Sequence, residues 1–307
     1  MAKMKQFTLT LPRNLRTRKD VETFFNRLVK IPEPKGSHLS SHWEHFLPQI
    51  QIRLIPGHKL PRKIQINQGG LAELTRLNII NILLFLLQIF RNIFLLIKFR
   101  CSLRVLLAMC LISIRTGRIL CFDIVKHAIL INKIKSIIDF RNASKIVIIG
   151  DGFGFLGSLL KFLYPKVRIT FVNLQKNLFL DYCFFVKSFQ DLADAPSLIE
   201  AHQLKNFQKD ELLFFNVASL GEMTSNQIQM YLHAITEVGG TLVSLNRNSK
   251  KHPDGTIVNL CELLESEQSE LLFDENPCNF YANYPTNGLN PGFLPFDGEI
   301  HLKILKF

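Results

Sequence analysis

Residues 145–163 constrain the fold more than any other stretch of this 307-residue chain. Lys145 to Ile149 have the apolar, β-branched pattern of a buried strand. A turn with glycine at alternate positions follows, and an apolar helical pattern then runs to Leu163. Glycine permits positive φ and close approach of the backbone to a ligand, and a helix N-terminus offers free N–H groups. The stretch therefore predicts the first strand, turn and helix of a nucleotide-binding α/β unit.

The spacing of these glycines distinguishes between two classes of cofactor. A dinucleotide fingerprint needs G-x-G-x-x-G from the glycine that closes the strand, but counting from Gly150 the third position holds Phe155. A formal match starts two residues later, at Gly152, Gly154 and Gly157, and it keeps an NAD(P)-dependent oxidoreductase open as an alternative. The unshifted spacing of Gly150, Gly152 and Gly154 resembles the first motif of class I S-adenosylmethionine-dependent methyltransferases. In those enzymes the turn passes beneath the methionine part of the cofactor.

A second predicted strand, residues 167–174, carries Asn173 near its end. An acidic residue at this place usually bonds the ribose hydroxyls in α/β nucleotide sites, and the amide oxygen of Asn173 can accept the same bond without a charge. The methyltransferase motif also usually has an acidic residue two places before the first glycine, where this chain has Ile148. These two departures motivate another alternative, a non-catalytic methyltransferase-like protein that serves as a membrane or complex subunit.

The remaining pattern predicts the fold class and the division of the chain. Strand and helix patterns alternate after residue 174, which predicts an α/β fold with a mostly parallel, Rossmann-like sheet covered by helices on both faces. We expect residues 1–120 to be a mainly helical, basic N-terminal extension with apolar helices at 79–115, and residues 121–307 to be the α/β domain. The later elements are expected as a strand at 211–217, a helix at 224–237, a strand at 241–246, a helix at 257–266 and a strand at 299–307.

Charge is distributed unevenly between the two halves of the chain. Residues 1–143 carry a net charge of +17 and residues 144–307 a net charge of −5, so the first half is expected to face something anionic. Residues 79–97 are an apolar run of nearly membrane-spanning length, interrupted by Arg91. Three interpretations stay open here: a buried or partner-facing helical hairpin, a basic amphipathic helix on an anionic membrane surface, and a transmembrane span.

Cysteine usage and the N-terminal sequence bear on the compartment. Six cysteines without a C-x-x-C pair, and no secretory signal at the N-terminus, predict a cytoplasmic protein, either free or peripheral on the inner face of the membrane. His38, His42 and His45 share one helical face, but no Cys or Asp partner accompanies them, so no metal site is expected. The basic residues near the N-terminus lack interleaved aromatics, and nucleic acid is therefore not an expected partner.

Several segments between Gly117 and Asn246 together resemble the bacterial sugar O-methyltransferase family, which has the class I methyltransferase fold. One of them, from Ser219 to Met223, is similar to that family's S-x-x-E-M stretch after the fourth strand of the domain. The resemblance implies S-adenosylmethionine as the cofactor and a sugar or glycan acceptor, such as a lipid- or nucleotide-linked glycan. The matching segments are FDIVKHAILINKI, IVIIGDGFGFLG, FVNLQKNLFLDYCFF, NVASLGEMTSNQIQMYLHAI and SLNRN.

These observations define a candidate site. Glu222 lies just past the fourth strand of the domain, at the carboxyl edge where open α/β sheets bind ligands, and is the candidate catalytic base or acceptor-orienting residue. Asn246 and Arg247 follow the next strand, and the sequence leaves open whether they contact the acceptor or form a surface turn. The predicted cofactor-binding residues are Gly150, Asp151, Gly152, Gly154, Asn173 and Ser219.

Overall fold

The structure is a computed structural model. It describes residues 5–30, 40–68, 90, 92–118, 120, 122–189, 195–204, 212–252, 254–265, 269–275 and 300–307. The described residues form a small antiparallel sheet with its helices, a helical hairpin, and a large mixed sheet with helices on both faces.

The small sheet is built from the N-terminal residues. Its strands are β1 (Lys5–Thr10), β2 (Gln51–Ile55) and β3 (Lys63–Gln68), which pair antiparallel in the order β1-β3-β2. Helices α1 (Leu15–Lys30) and α2 (Ser41–Phe46) lie between β1 and β2 in the chain. Ile64 and Ile66 alternate with polar residues along β3 and are fully buried, which is the period of a strand with one face in a core. The sequence analysis had assigned no strand to residues 1–120, so this sheet is an addition to the helices expected there.

Three helices connect this sheet to the rest of the molecule. They are α3 (residues 92–98), α4 (Leu103–Thr116) and α5 (Phe122–Ile134). One face of α3 and one face of α4 are buried in the main core together with α5. Within the described ranges no helix has the length and apolarity needed to cross a membrane. Residues 79–89 of the apolar run lie outside the described residues.

The large sheet has seven strands. Those in its parallel part are β4 (Lys145–Ile149), β5 (Arg168–Asn173), β6 (Ser197–Glu200), β7 (Leu212–Val217) and β8 (Thr241–Arg247). A small hairpin of β9 (Ser249–Lys251) and β10 (Ile257–Asn259) precedes β11 (Glu270–Glu275) and β12 (Ile300–Lys306). The strand order is β11-β12-β8-β7-β4-β5-β6, and β12 runs antiparallel to both of its neighbours.

Helices cover both faces of this sheet. They are α6 (Phe155–Leu163), α7 (Gln175–Phe189), α8 (Ser225–Val238) and α9 (Leu260–Glu265). The continuous burial of Ile146 to Ile149 is what a central parallel strand between two helical layers requires. Thr224 begins α8 as the N-cap of a capping box with Gln227, as its residue type predicts. The predicted helix at 257–266 is wrong at its start, because residues 257–259 pair with β9 as a strand and the helix begins at Leu260.

The order of connection produces a crevice in the sheet. The chain places β5 and β6 on one side of β4, then crosses over to place β7 and β8 on the other side. The connections that follow β4 and β7 therefore leave in opposite directions, and this topological switch point is where open α/β sheets bind ligands.

Candidate functional site

The carboxyl ends of β4 and β7 are held together by two buried side chains. The Ser219 hydroxyl donates to the Ile149 carbonyl at 3.0 Å, and Asn216 Nδ2 donates to the same carbonyl at 2.9 Å. A Cβ at Gly150 would collide with Ser219, which explains the glycine that closes β4. The Ser219 hydroxyl lies against the backbone of β4 and joins the two strand ends that form the crevice. Its contact with the cofactor stays a prediction.

The loop after β7 adopts a strained conformation. Ala218 has φ of +65°, in the left-handed region that a residue with a Cβ rarely occupies. Its N–H donates to the Leu245 carbonyl at 2.9 Å, which anchors the conformation to β8. Such a conformation costs about 1–2 kcal/mol and is concentrated at binding and catalytic sites. The positive φ of Ala218 therefore makes the segment from Ala218 to Glu222 a candidate part of the site.

The glycine turn is open at one position and closed at the others. A Cβ built on Gly152, which has φ of +85°, meets no heavy atom of the described residues within 4 Å beyond its chain neighbours. The same construction at Gly154 collides with the backbone carbonyl of Asp181, because α7 packs directly on the turn. The two aromatic rings of the turn point into the core: Phe153 packs edge-on against Phe184, and Phe155 belongs to the main core cluster. Gly152 is therefore the place on the turn that a ligand can approach.

Two carboxylates accept hydrogen bonds from the N–H groups at the start of α6. Asp151 Oδ1 accepts from Leu156 N–H at 3.0 Å, and Asp151 Oδ2 accepts from Gly157 N–H at 2.8 Å. Asp181 Oδ1, from α7, accepts from Gly154 N–H at 3.0 Å. The carboxylate of Asp151 therefore caps this helix, and the contact of Asp151 with the cofactor stays a prediction. Asp181 was missed by the sequence analysis because a single acidic residue within an apolar helix carries no motif.

The electrostatics of the two carboxylates depend on a buried arginine. Burial raises the pKa of both Asp151 and Asp181, and repulsion from Asp151 raises the pKa of Asp181 further. Hydrogen bonds oppose these shifts first: Gly157 and Leu156 donate to Asp151, and Asn173 and Gly154 donate to Asp181. The positive charge of Arg118 opposes both shifts as well. Its guanidinium lies 4.0 Å from the centroid of the Phe184 ring and donates to the Phe153 carbonyl. The hydrogen bonds and the nearby positive charge of Arg118 together make two buried acidic groups tolerable beneath the turn.

Glu222 lies at the edge of the crevice among cations. Its side chain is 23% exposed, and Oε1 accepts from Lys250 Nζ at 3.3 Å. Burial raises the pKa of Glu222, while the positive charges of Lys250, Arg247 and Lys126 oppose that rise. The carboxylate is thus surrounded by three cations from α5, β8 and β9, an arrangement that would also attract an anionic ligand.

The N-terminal region lies across this edge of the sheet. Ser40, the N-cap of α2, donates its hydroxyl to the Glu222 carbonyl. Lys176 Nζ, near the start of α7, donates to the Leu47 and Ile50 carbonyls at 3.1 and 3.3 Å. These contacts place α2 and the segment after it beside the crevice, so the N-terminal region contributes a wall to the candidate site.

The strand order identifies the fold. Numbered within the large sheet alone, its strands run 3-2-1-4-5-7-6, with the seventh antiparallel to its neighbours. This is the class I methyltransferase fold. The expected fold class, a Rossmann-like mostly parallel sheet with helices on both faces, is confirmed.

Solved methyltransferases overlap with part of the chain. The mitomycin 7-O-methyltransferase is 14% identical, with 60% of this chain and 56% of that chain covered and a TM-score of 0.41. The methyltransferase domain of a bacterial Hen1 is 13% identical, with 59% and 97% covered and a TM-score of 0.39. A mycolic acid cyclopropane synthase complexed with S-adenosylhomocysteine is 10% identical, with 50% and 64% covered and a TM-score of 0.38.

The chain spans little more than half the length of the mitomycin enzyme. No protein-family model and no curated protein matches it. These structural overlaps are too distant to assign an activity, and the fold rests on the strand order of the sheet.

Asn173 lies at the carboxyl end of β5, the edge where open α/β sheets bind ligands. Its Oδ1 accepts from Leu174 N–H at 2.9 Å and from Asn177 Nδ2 at 3.4 Å, and its Nδ2 donates to Asp181 Oδ2 at 3.0 Å. The predicted role as a hydrogen-bond acceptor for ribose hydroxyls would therefore compete with bonds that already exist. The network joins Asn173 to the carboxylates under the turn, a connection that the sequence pattern did not indicate.

Asn246 and Arg247 end β8 next to the crevice. Asn246 is buried and donates to Ser244 Oγ at 2.8 Å, while its Oδ1 is buried without a hydrogen-bond partner among the described residues. Arg247 is near enough to Glu222 to affect its pKa. The alternative of a solvent-exposed turn is wrong for Asn246, because its side chain lies in the interior.

The sequence analysis considered a histidine face at His38, His42 and His45 and expected no metal site there. His38 and the side chain of His42 lie outside the described residues, so the proposed histidine face is not tested as a unit. Across the ranges that the structure describes, no group of three His, Cys, Asp or Glu side chains is placed to hold a metal ion.

Proposed function

We propose that this protein is an S-adenosylmethionine-dependent O-methyltransferase that acts on a sugar hydroxyl. The observation that carries the proposal is the pair of carboxylates, Asp151 and Asp181, beneath a turn that is open at Gly152. A dinucleotide places its pyrophosphate on the N–H groups of the helix that follows the turn. Here those N–H groups already donate to the oxygens of Asp151 and Asp181, so they are not free to bind a pyrophosphate. A cofactor with a cationic sulfonium and ammonium group suits the same surroundings.

The residues present fit this cofactor at its methionine end. The backbone from Gly150 to Gly154 would lie against the methionine part, where a Cβ at Gly152 would project into open space. S-adenosylmethionine supplies an already activated methyl group, so the protein has mainly to hold two groups in line. Positioning of this kind can contribute about 7–11 kcal/mol to the lowering of a barrier.

The acceptor would approach from the side of Glu222. A sugar hydroxyl is a weak nucleophile, and a carboxylate with a raised pKa is a suitable base for it. Lys250, Arg247 and Lys126 surround that carboxylate and outnumber it, which favours an acceptor that carries a phosphate. A lipid- or nucleotide-linked glycan has this combination of hydroxyls and phosphate.

Isothermal titration of the purified protein with S-adenosylhomocysteine and with NADH tests the choice of cofactor. We expect binding of S-adenosylhomocysteine and no binding of NADH. At 100 times its dissociation constant the ligand should stabilise the folded protein by about 2.7 kcal/mol, which a thermal-unfolding assay would detect. Binding of NADH alone would establish the oxidoreductase alternative. A folded protein that binds neither ligand would support the non-catalytic subunit and contradict the proposal.

Replacing Glu222 by glutamine should lower kcat about 100-fold or more and leave the affinity for S-adenosylhomocysteine unchanged, because the base is lost while the turn is intact. In the wild type, kcat/KM should rise with pH through a range above that of an ordinary glutamate, since burial raises the pKa of Glu222 and only the ionised form accepts a proton.

The matched control for this variant is Glu265→Gln. Glu265 is also paired with a lysine, with Lys303 Nζ at 2.6 Å, but it lies on α9. Its replacement should leave both kcat and the pH profile as in the wild type. Equal activity of the Glu222→Gln variant and the wild type would exclude Glu222 as the base.

A further inference from the structure

The helical hairpin of α3 and α4 exposes an unusual amount of apolar surface. Of the 13 large hydrophobic side chains that are exposed among the described residues, seven belong to this short part of the chain. Soluble monomers rarely expose apolar groups that are contiguous, and where they do the surface usually contacts a protein or a membrane. We call these side chains the hairpin face: Phe90, Ile93, Phe94, Ile97, Leu103, Leu107 and Ile114.

The spacing shows that the hairpin face is a true helical stripe. Phe90, Ile93, Phe94 and Ile97 follow the i, i+3, i+4, i+7 rule and are 47–70% exposed. Leu95 and Leu96, on the other side of the same helix, are buried in the main core. Each helix is therefore apolar on two sides, one that packs on the domain and one that faces outward. A helix with no outer contact would carry charged residues there instead.

The hairpin is fixed rigidly to the domain, so the face is presented in one orientation. Asn132 Nδ2, from α5, donates to the Phe99 carbonyl at 2.7 Å and to the Arg100 carbonyl at 3.2 Å, which holds the turn of the hairpin. Arg104 donates to the Leu163 carbonyl at 2.6 Å, and Arg115 donates to the Ser188 carbonyl at 2.7 Å. These two guanidinium groups attach α4 to α6 and α7.

The positive charge beside the hairpin face indicates what kind of partner binds there. Between Glu73 and Asp123 the sequence has seven basic residues and no acidic residue. Three of the seven, Arg104, Arg115 and Arg118, donate to carbonyls of the domain. Lys98 and Arg100 are exposed at the turn of the hairpin, beside the apolar stripe. A second copy of the chain would bring these cations against their own counterparts in a two-fold interface, which is unfavourable. Phospholipid headgroups of negative charge complement them, and acyl chains complement the stripe.

We infer that the hairpin face is a membrane-binding surface for an anionic lipid bilayer. The apolar side chains enter the boundary between headgroups and acyl chains, and Lys98 and Arg100 contact the headgroup phosphates. This inference does not depend on the proposed enzyme activity, because the surface is built without the crevice or its ligands.

Flotation of the full-length protein with lipid vesicles tests the inference. We expect binding to vesicles of phosphatidylcholine mixed with phosphatidylglycerol, weak binding to phosphatidylcholine alone, and loss of binding as salt is added. The double variant Phe94→Glu, Ile97→Glu should reduce partitioning about 100-fold or more. The double variant Lys98→Gln, Arg100→Gln should reduce it by about fivefold for each charge on the mixed vesicles only.

Matched controls separate this surface from general hydrophobicity and charge. Val29 on α1 is 66% exposed and Met230 on α8 is 45% exposed, so Val29→Glu and Met230→Glu should leave vesicle binding unchanged. Lys251→Gln, at an exposed lysine of β9, is the control for charge. Failure of the wild type to float with the mixed vesicles would overturn the inference. So would a dimer in light scattering that the Phe94→Glu, Ile97→Glu variant converts to a monomer, because a second copy would then occupy the face.

Discussion

Replacing Gly154 by alanine is expected to lower the free energy of unfolding by about 3 kcal/mol or more, the largest effect of any single methyl group in the turn. Two costs add at this position. Gly154 has φ of +63°, which a residue with a Cβ adopts only with strain, and the added Cβ would collide with the Asp181 carbonyl. That carbonyl belongs to the backbone of α7 and cannot rotate away as the end of a long side chain could.

Gly152→Ala provides the matched comparison for Gly154→Ala. The two glycines are neighbours in the same turn and both have positive φ, but a Cβ at Gly152 meets open space. Only the backbone cost of about 1–2 kcal/mol should remain. Urea unfolding of both variants measures the difference. Equal destabilisation of the two would mean that α7 does not pack on the turn as described.

Replacing Gly152 by leucine should weaken the binding of S-adenosylhomocysteine by about 100-fold or more, which corresponds to about 2.7 kcal/mol. The leucine side chain would project into the space beside the turn where the methionine part of the cofactor is proposed to lie. The protein should remain folded, because nothing in the described structure occupies that space within 4 Å of the added Cβ apart from its chain neighbours. Isothermal titration of the variant measures the effect.

The chain contains a close control for the Gly152→Leu variant. Gly255, in the turn between β9 and β10, has φ of +88° and also projects into open space. Gly255→Leu imposes the same backbone strain and the same added volume away from the glycine turn. Its affinity for S-adenosylhomocysteine should equal that of the wild type. If Gly152→Leu bound the ligand as tightly as Gly255→Leu does, the cofactor could not lie against the glycine turn.

The pair of acidic groups under the turn links these predictions. Asp181 binds the N–H of Gly154 and the amide of Asn173, and Asp151 binds the start of α6. Both acidic groups are held in the interior by these hydrogen bonds, with the positive charge of Arg118 nearby. The rigid side of the turn is therefore built from the same groups that exclude a pyrophosphate, while Gly152 on the open side is left for the ligand.

Elements with strong local patterns could be predicted from the sequence. The strand at 145–149, the helix from Phe155 to Leu163 and the N-cap of α8 at Thr224 all lie where residue period and residue type put them. Residues 257–259 could not, because Ile257 and Val258 suit a helix or a strand, and pairing with β9 decided between them. The small N-terminal sheet was missed for the same reason, since its three strands are short and pair over long distances in the chain.

Within the candidate site, too, some features could be predicted from the sequence and others could not. Local spacing and composition were enough to predict the fold class, the glycine turn, the carboxyl edge that holds Glu222 and the positive charge of the first half. The packing of the chain was needed to show that Ser219 joins β4 to β7 and that Asn173 bonds to Asp181. It also decided which apolar side of α3 and α4 faces outward. Those outcomes depend on partners that are distant in the chain, and no residue type specifies its partner before the helices and strands are packed.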